Sequence, residues 1–517
     1  MEKILKKLKK LLRLIFGRTT LGTLFLLIQI LVLFAGFDWF REYLIYMYGG
    51  SAMLSALVLI YIISDEGNST IKLSWVVPIL IFPVFGTLFY LFLTLQPGTR
   101  RINRRIEEVG TKLRPYLLQD PEVLAHYESI SASGGNLVRY MNQYGRFPAY
   151  ENTGVRYFPL GDDMFPVLLE ELKKAEHFIF MEYFIVEHGV MWDAILQILE
   201  TKAAEGVEVR FMYDGMGNLF TLPHGYEKAM QEKGIQCKIF APVRPALSSY
   251  QNNRDHRKIC VIDGKVAFTG GVNLADEYIN KKVRFGHWKD TAIKIEGDAV
   301  QSFTMMFLQM WNITERQPED YAKYLTEKQP GFSRKDGYII PYGDSPFDHE
   351  NVGEEVYFHI LNHAKKYVHI MTPYLILDNE MIDALTRAAK GGIEVQIIMP
   401  HIPDKPYAFY LAKTYYEELI AGGVEIYEYT PGFVHAKVFT SDDDTATVGS
   451  INLDYRSLYL HFECGVFIYR NPVVRDIEKD FQETLAKCQK VTMTEVRNRS
   501  TFVKIYGQVL RIVAPLM

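Results

Sequence analysis

Residues 256–263 read HRKICVID, and residues 435–442 read HAKVFTSD. Each stretch sets a histidine two positions ahead of a lysine and seven ahead of an aspartate: His256, Lys258 and Asp263 in one, His435, Lys437 and Asp442 in the other. Lysine is a compact cation for phosphate oxygens. Imidazole ionises at a pKa of about 6.5, so near neutrality it serves as nucleophile, base or acid. Two copies around one phosphate supply two imidazoles. One can attack phosphorus and carry it covalently. The other can protonate the leaving alcohol and then deprotonate the incoming one. Each copy is followed by a small-residue pair and an asparagine: Gly270, Gly271 and Asn273, then Gly449, Ser450 and Asn452. Lys258, Asn273, Lys437 and Asn452 thus form a candidate phosphate-binding set that neutralises developing charge without a metal. No HExxH pattern or carboxylate cluster suggests a metal ligand set, and no cofactor is implied. One match of this kind arises by chance at odds of very roughly one in twenty. Two, each trailed by the same Gly-[Gly/Ser]-x-Asn, are not an accident.

The surrounding elements must hold those groups. ICVID and KVFTSD are β-rich, and alternation puts residues two apart on one face. Asp263 precedes Gly264 and Asp442 heads a DDD run, which predicts hairpin turns. Glycine and serine after the turn leave room for a ligand against the backbone. The chain also repeats itself more widely. GVEVRFMYD from Gly206 recurs as GIEVQIIMP from Gly392, and GIQCKIF from Gly234 recurs as GVEIYEY from Gly423. Each pair is followed by one cassette. That order predicts a duplication of βαβ-type units, an α/β fold with two lobes.

The chain's 517 residues are 48% hydrophobic, enough for more than one core. A net charge of -4 argues against a nucleic-acid partner. Cys237, Cys260, Cys464 and Cys488 form no CxxC pair and read as small buried apolar residues. Residues 1–20 carry Lys3, Lys6, Lys7, Lys9, Lys10, Arg13 and Arg18 among regularly spaced Ile and Leu. They predict a basic amphipathic helix on an anionic membrane face. Residues 21–98 hold three apolar stretches, Leu21 to Phe37, Leu44 to Ser64 and Trp75 to Leu95. These predict a helical membrane anchor of two or three spans. The remaining boundaries are a linker at 99–139, lobes at 140–330 and 331–490, and a C-terminal amphipathic tail at 491–517. Arg100, Arg101, Arg104 and Arg105 favour a cytoplasmic catalytic portion.

At these residues the chain resembles the phospholipase D superfamily, whose hallmark is HxKxxxxD, and within it the bacterial cardiolipin synthases. NRDHRKICVIDGKVAFTGGVNLADEY from Asn253, FGHWKDTAIKIEGDAV from Phe285 and HAKVFTSDDDTATVGSINLDYRSLYLHFE from His435 carry the resemblance, together with PVFG at Pro83. It implies two phospholipase D-like lobes with mixed sheets flanked by helices, facing each other across a pseudo-two-fold cleft. It implies transfer of a phosphatidyl group from one phosphatidylglycerol to another in a multi-pass plasma-membrane protein, giving cardiolipin and glycerol. His256 and His435 would be nucleophile and acid/base, with His256 favoured as nucleophile. Asp263 and Asp442, grouped with them by motif, would stabilise the cassette. Asp290 and Glu463 would each orient a histidine. His461 departs from the family pattern, which has asparagine there. A hydrolase, a transphosphatidylase using another alcohol, and an inactive membrane scaffold are the alternatives.

Overall fold

A computed structural model describes residues 24, 27–30, 41–65, 67–94, 97–243, 252–315, 319–326, 337–348 and 350–516. The basic stretch at 1–20 and most of the first apolar stretch lie outside them. The chain divides into two compact units. One comprises 1–103, 243–252 and 511–517; the other comprises Arg104–Pro242 and Asn253–Leu510.

The first unit is helical. Its helices are α1 (Arg41–Ser64), α2 (Ser69–Ile81) and α3 (Pro83–Thr94). Asn68 starts α2 by accepting from the Thr70 amide at 2.9 Å. Ser55 of α1 bonds Thr87 of α3 at 2.8 Å, and Val58, Ile62, Ile79 and Tyr90 form a small core. The third apolar stretch is not one continuous helix. Proline cannot donate a backbone N–H and restricts the residue before it. Pro83 therefore parts α2, of 13 residues, from α3, of 12 residues, each too short for a hydrocarbon core of about 30 Å. Among the described residues no helix is long and apolar enough to cross a membrane.

The second unit is α/β, with two mixed sheets. Its strands are β1 (Thr153–Phe158), β2 (Phe178–Tyr183), β3 (Glu208–Asp214), β4 (Gln236–Phe240), β5 (Ile259–Ile262), β6 (Val266–Gly270), β7 (His287–Lys289), β8 (Ala292–Gly297), β9 (Tyr338–Asp344), β10 (Tyr367–Met371), β11 (Glu394–Pro400), β12 (Glu425–Tyr429), β13 (Gly432–Val434), β14 (Val438–Ser441), β15 (Thr445–Gly449), β16 (Glu463–Tyr469) and β17 (Cys488–Lys490). The first sheet runs β1-β8-β6-β5-β2-β3-β4 and the second β17-β12-β11-β10-β14-β15-β16-β9. Reversed and stripped of β17, the second order repeats the first. In each, three parallel strands adjoin an antiparallel hairpin. The glycines that lead the repeated strands, Gly206, Gly234, Gly392 and Gly423, all have φ between 81° and 95°. They occupy the left-handed region that ends one helix and turns the chain into the next strand.

Helices cover both sheets. α4 (Gly161–Lys173), α5 (Val190–Ala204) and α6 (Val300–Asn312) flank the first. Phe307 of α6 stacks on Phe180 of β2 with ring centroids 4.7 Å apart, and Trp192 of α5 on Phe211 of β3 at 4.8 Å. Complete burial of each such side chain contributes about 1.5–3 kcal/mol. α7 (Val352–His363), α8 (Asn379–Lys390), α9 (Pro406–Ala412) and α10 (Val473–Leu485) serve the second sheet, and α11 (Thr501–Val513) follows. The linker expected at 99–139 is helical at Pro97–Leu113, Pro121–Ile130 and Ala132–Tyr140. Tyr127 is fully buried there, against the Tyr338 and Tyr469 rings of the second sheet. That apolar contact holds the segment on the fold.

Candidate active site

Both cassettes end in the hairpins their turns predict. Three residues connect the strands of each hairpin; Asp263 and Gly264 have φ of 53° and 65°, Asp442 and Asp443 of 55° and 60°, as a β-turn with both central residues left-handed requires. The strands start only after the lysines, at Ile259 and Val438. Each histidine therefore lies at one end of the first hairpin strand and each aspartate at the other. Asp263 accepts from the amides of Glu176, His177 and Phe178, all at 2.8 Å. Asp442 accepts from Lys365, Lys366 and Tyr367 at 2.7, 2.8 and 3.2 Å. Though motif groups them with the catalytic set, these two carboxylates fasten hairpin tips to the turns before β2 and β10, away from the histidines.

The histidine ends meet across the two lobes. β13, just before His435, pairs in parallel with β7, just before Asp290. The His435 amide donates to the Lys289 carbonyl at 2.7 Å. On the other side the His256 amide donates to Phe462 and the Phe462 amide to Arg254, at 2.9 and 2.8 Å. The buried Lys289–Asp480 ion pair, at 2.7 Å, adds a link between β7 and α10.

This exchange crosses the carboxylates. His256 Nδ1 lies 2.8 Å from Glu463 Oε1, and His435 Nδ1 lies 2.6 Å from Asp290 Oδ2. Each imidazole thus receives its carboxylate from the other half of the chain. A carboxylate on Nδ1 favours the Nδ1–H tautomer and leaves the Nε2 lone pair free. Glu463 also accepts from the hydroxyls of Ser450 and Ser457, and Asp290 from the Thr291 amide. Lys258 and Lys437 each donate to the carbonyl of their own histidine, and each ammonium keeps two further N–H groups.

The asparagines are partly engaged. Asn273 Nδ2 donates to Tyr278 Oη at 2.9 Å, and its Oδ1 accepts from Ile185 at 3.0 Å. Asn452 Nδ2 donates to Ser457 Oγ at 3.1 Å. The space left by the small residues is filled by the protein itself, not held open for a ligand. A Cβ on Gly271 would come within 2.0 Å of Asp290 Oδ1, and one on Gly449 within 2.3 Å of the Cys464 carbonyl.

Burial sets the electrostatics. It pushes His256 well below its ordinary value, and Lys258, His461, Lys437 and His435 push the same way. His435 falls to about 4 from burial and Lys437, against the opposing effect of Asp290. Burial lowers Lys258 to about 8 and Lys437 to about 7, and raises Glu463 to about 8. By themselves these groups are neutral imidazoles and weakened cations. An arriving phosphodiester anion would restore the lysine charge.

Sequence reasoning missed several neighbours. The Phe184 ring meets His256 edge-on at 4.9 Å, and Tyr278 meets His435 at 5.5 Å. Ser457 follows the second motif with no signal beyond proximity. His461 lies 5.7 Å from His256 between ring centroids. His256, His461 and Glu463 bring ligand-capable atoms within 4.8 Å of one another. Glu463 already accepts three donors, and two lysines face the same space, which favours an anion over a metal ion. The four cysteines are unpaired, and burial pushes Cys464 up to about 11.

Comparison with known proteins decides the family. The model described as "Cardiolipin synthase, PLD-like domain" matches residues 168–311 and 357–485. The chain belongs to this family. It is an enzyme of the phospholipase D type. A phospholipase D-nuclease N-terminal model matches residues 53–93. A cardiolipin synthase of Alkalihalophilus pseudofirmus is 32% identical over 89% of this chain and 91% of its own length. Cardiolipin synthase 2 of Bacillus anthracis is 34% identical over 86% of each chain. An uncharacterised Streptococcus mutans protein is 50% identical over 89% of this chain and 99% of its own. The crystal structure of a phosphatidylserine synthase of Haemophilus influenzae shares the fold, with a TM-score of 0.55 at 14% identity, covering 74% of this chain and all of that one. That likeness speaks to the fold alone.

Proposed function

We propose that the enzyme makes cardiolipin from two phosphatidylglycerols through a phosphohistidine. The observation that carries this reading is the crossed pairing of His256 with Glu463 and His435 with Asp290. His256 Nε2 attacks the phosphorus of the first lipid. The bond from phosphorus to the glycerol oxygen breaks, and His435, protonated once the phosphodiester anion lies beside it, delivers the proton that this oxygen needs. Glycerol leaves, and the phosphatidyl group stays on His256. His435, now neutral, takes the proton from a terminal hydroxyl of the second phosphatidylglycerol. That oxygen attacks phosphorus and releases His256. Lys258 and Lys437, with the remaining N–H groups of Asn273 and Asn452, oppose the charge on the non-bridging oxygens. Asp290 opposes the depression of His435, which suits the acid; nothing comparable leads at His256, which suits the nucleophile.

A membrane setting follows from the substrates and from the apolar helices of the first unit, which would hold the enzyme at the bacterial plasma membrane. Mass spectrometry of products from purified enzyme and phosphatidylglycerol in mixed micelles tests the reading. Cardiolipin with equimolar glycerol is expected. Phosphatidic acid with glycerol would make water the acceptor and the enzyme a hydrolase.

A further inference from the structure

Between Thr501 and Leu510, α11 carries three distinct faces. At 100° per residue, Val503, Gly507 and Leu510 share the side turned to the protein. Gly507 is buried, and a Cβ there would come within 2.5 Å of the Thr414 methyl. Tyr506 meets the Tyr410 ring of α9 edge-on at 6.3 Å. Just before the helix, Arg499 donates to the Lys413 carbonyl at 2.8 Å. The second face is apolar and open to solvent: Phe502 is 78% exposed, Ile505 59% and Val509 56%. Those residues fall within an arc of about 60°, on one side of the helix, as in a helix lying at a membrane interface. The third face holds Lys504 and Gln508, and the helix has no acidic residue. Tyr407 and Tyr410 of α9 extend the exposed apolar surface.

We propose that α11 is an interfacial helix that docks the catalytic unit on an anionic lipid surface. Phe502, Ile505 and Val509 would enter the acyl boundary, with Lys504 at the level of the head groups. Charge decides the occupant: a second copy of a helix without acidic residues would offer Lys504 no counter-charge, whereas anionic lipid complements it. The placement also suits the site. α9, which α11 grips, begins one residue after Lys405. Lys405 donates to Tyr374 Oη at 2.7 Å, and its charge acts on His461 beside His256. Docking here would set the cleft edge against the bilayer, so that a phospholipid could enter without crossing water. Only this purpose, not the docking itself, rests on the proposed function.

The test uses the full chain in nanodiscs of phosphatidylglycerol and phosphatidylethanolamine. Spin labels go at Ile505→Cys, Val509→Cys and, for reference, Gln508→Cys, in a Cys488→Ser background. Labels at 505 and 509 should collide with oxygen and be shielded from an aqueous nickel chelate, while the label at 508 meets the chelate. Equal chelate access at all three positions would overturn the proposal. So would shielding of 505 and 509 with dipolar broadening between copies, which would mark a dimer face. Shielding as strong in phosphatidylcholine alone would overturn the requirement for anionic lipid. In activity, Ile505→Asp with Val509→Asp should cut turnover of bilayer phosphatidylglycerol about tenfold and spare turnover of dispersed dihexanoyl phosphatidylglycerol. An equal effect on both would count against docking. A wild-type enzyme that turns over neither substrate would strike the proposed function and leave the spin-label result to judge the helix.

Discussion

The two half-sites share a backbone and differ in what surrounds the ring. His256 leans on a glutamate steadied by Ser450 and Ser457, with Phe184 and His461 beside it. His435 leans on an aspartate steadied by one backbone amide, with Tyr278, Trp288 and Phe433 around it. Burial, two lysines and two other histidines press on His256, while Asp290 partly offsets the pressure on His435. Duplication thus copies the frame that brings two imidazoles to one place. The side chains outside the copied motif make the two unequal, and inequality is what a relay between nucleophile and acid requires.

The largest expected effect breaks the comparison outright. His256→Ala and His435→Ala should each lower turnover by roughly 10²–10⁴-fold. A p-nitrophenyl phosphodiester then sharpens it, because its leaving group needs no proton. His435→Ala should still release nitrophenol in a burst and retain a covalent phospho-adduct at His256, visible by intact mass. His256→Ala should show neither, and the opposite pattern would exchange the roles.

Next come the carboxylates. Asp290→Asn should lower turnover of a substrate with a basic leaving group by about 10²-fold or more, through loss of the tautomer and of imidazolium stabilisation. It should affect the nitrophenyl ester much less. Glu463→Gln should slow both substrates, and equal profiles for the two variants would erase the asymmetry.

The lysines predict a pH effect. Burial brings Lys437 down to about 7 and Lys258 to about 8. An anionic lipid binds their charged forms, so KM should rise as pH climbs from 7 to 9 while binding takes up protons. Lys437→Met should flatten the lower part of that rise, and a flat wild-type profile would contradict the assignment.

The smallest effect separates the hairpin tips. Asp263→Ala should cost about 1–3 kcal/mol in urea unfolding, because three amides around a buried carboxylate lose their acceptor. Asp442 is more open to water, so Asp442→Ala should cost less.

Much of this was legible in the chain. The doubled cassette marked both hairpins and their turn aspartates, because a turn with left-handed central residues needs residues that tolerate positive φ. The repeated glycine-led strands predicted the two matching sheets. Three things were not legible. Gly271 and Ser450 read as room for a ligand, yet one makes way for Asp290 and the other donates to Glu463, partners invisible to local pattern. The apolar run from Trp75 to Leu95 has the length of a span, but Pro83 divides it. His461 read only as a departure from the family pattern, and its approach to His256 depends on how the lobes meet.

By itself the sequence determined which groups are candidates for the chemistry and that they come in pairs, since residue type sets pKa range and charge, and spacing sets the strand and turn. Only the tertiary structure decided which carboxylate serves which histidine. Glu463 lies 207 residues from His256, and Asp290 lies 145 from His435. No local rule spans such distances. The crossed pairing arises where β7 meets β13 and Phe462 meets the segment before His256, a contact made between two folded sheets.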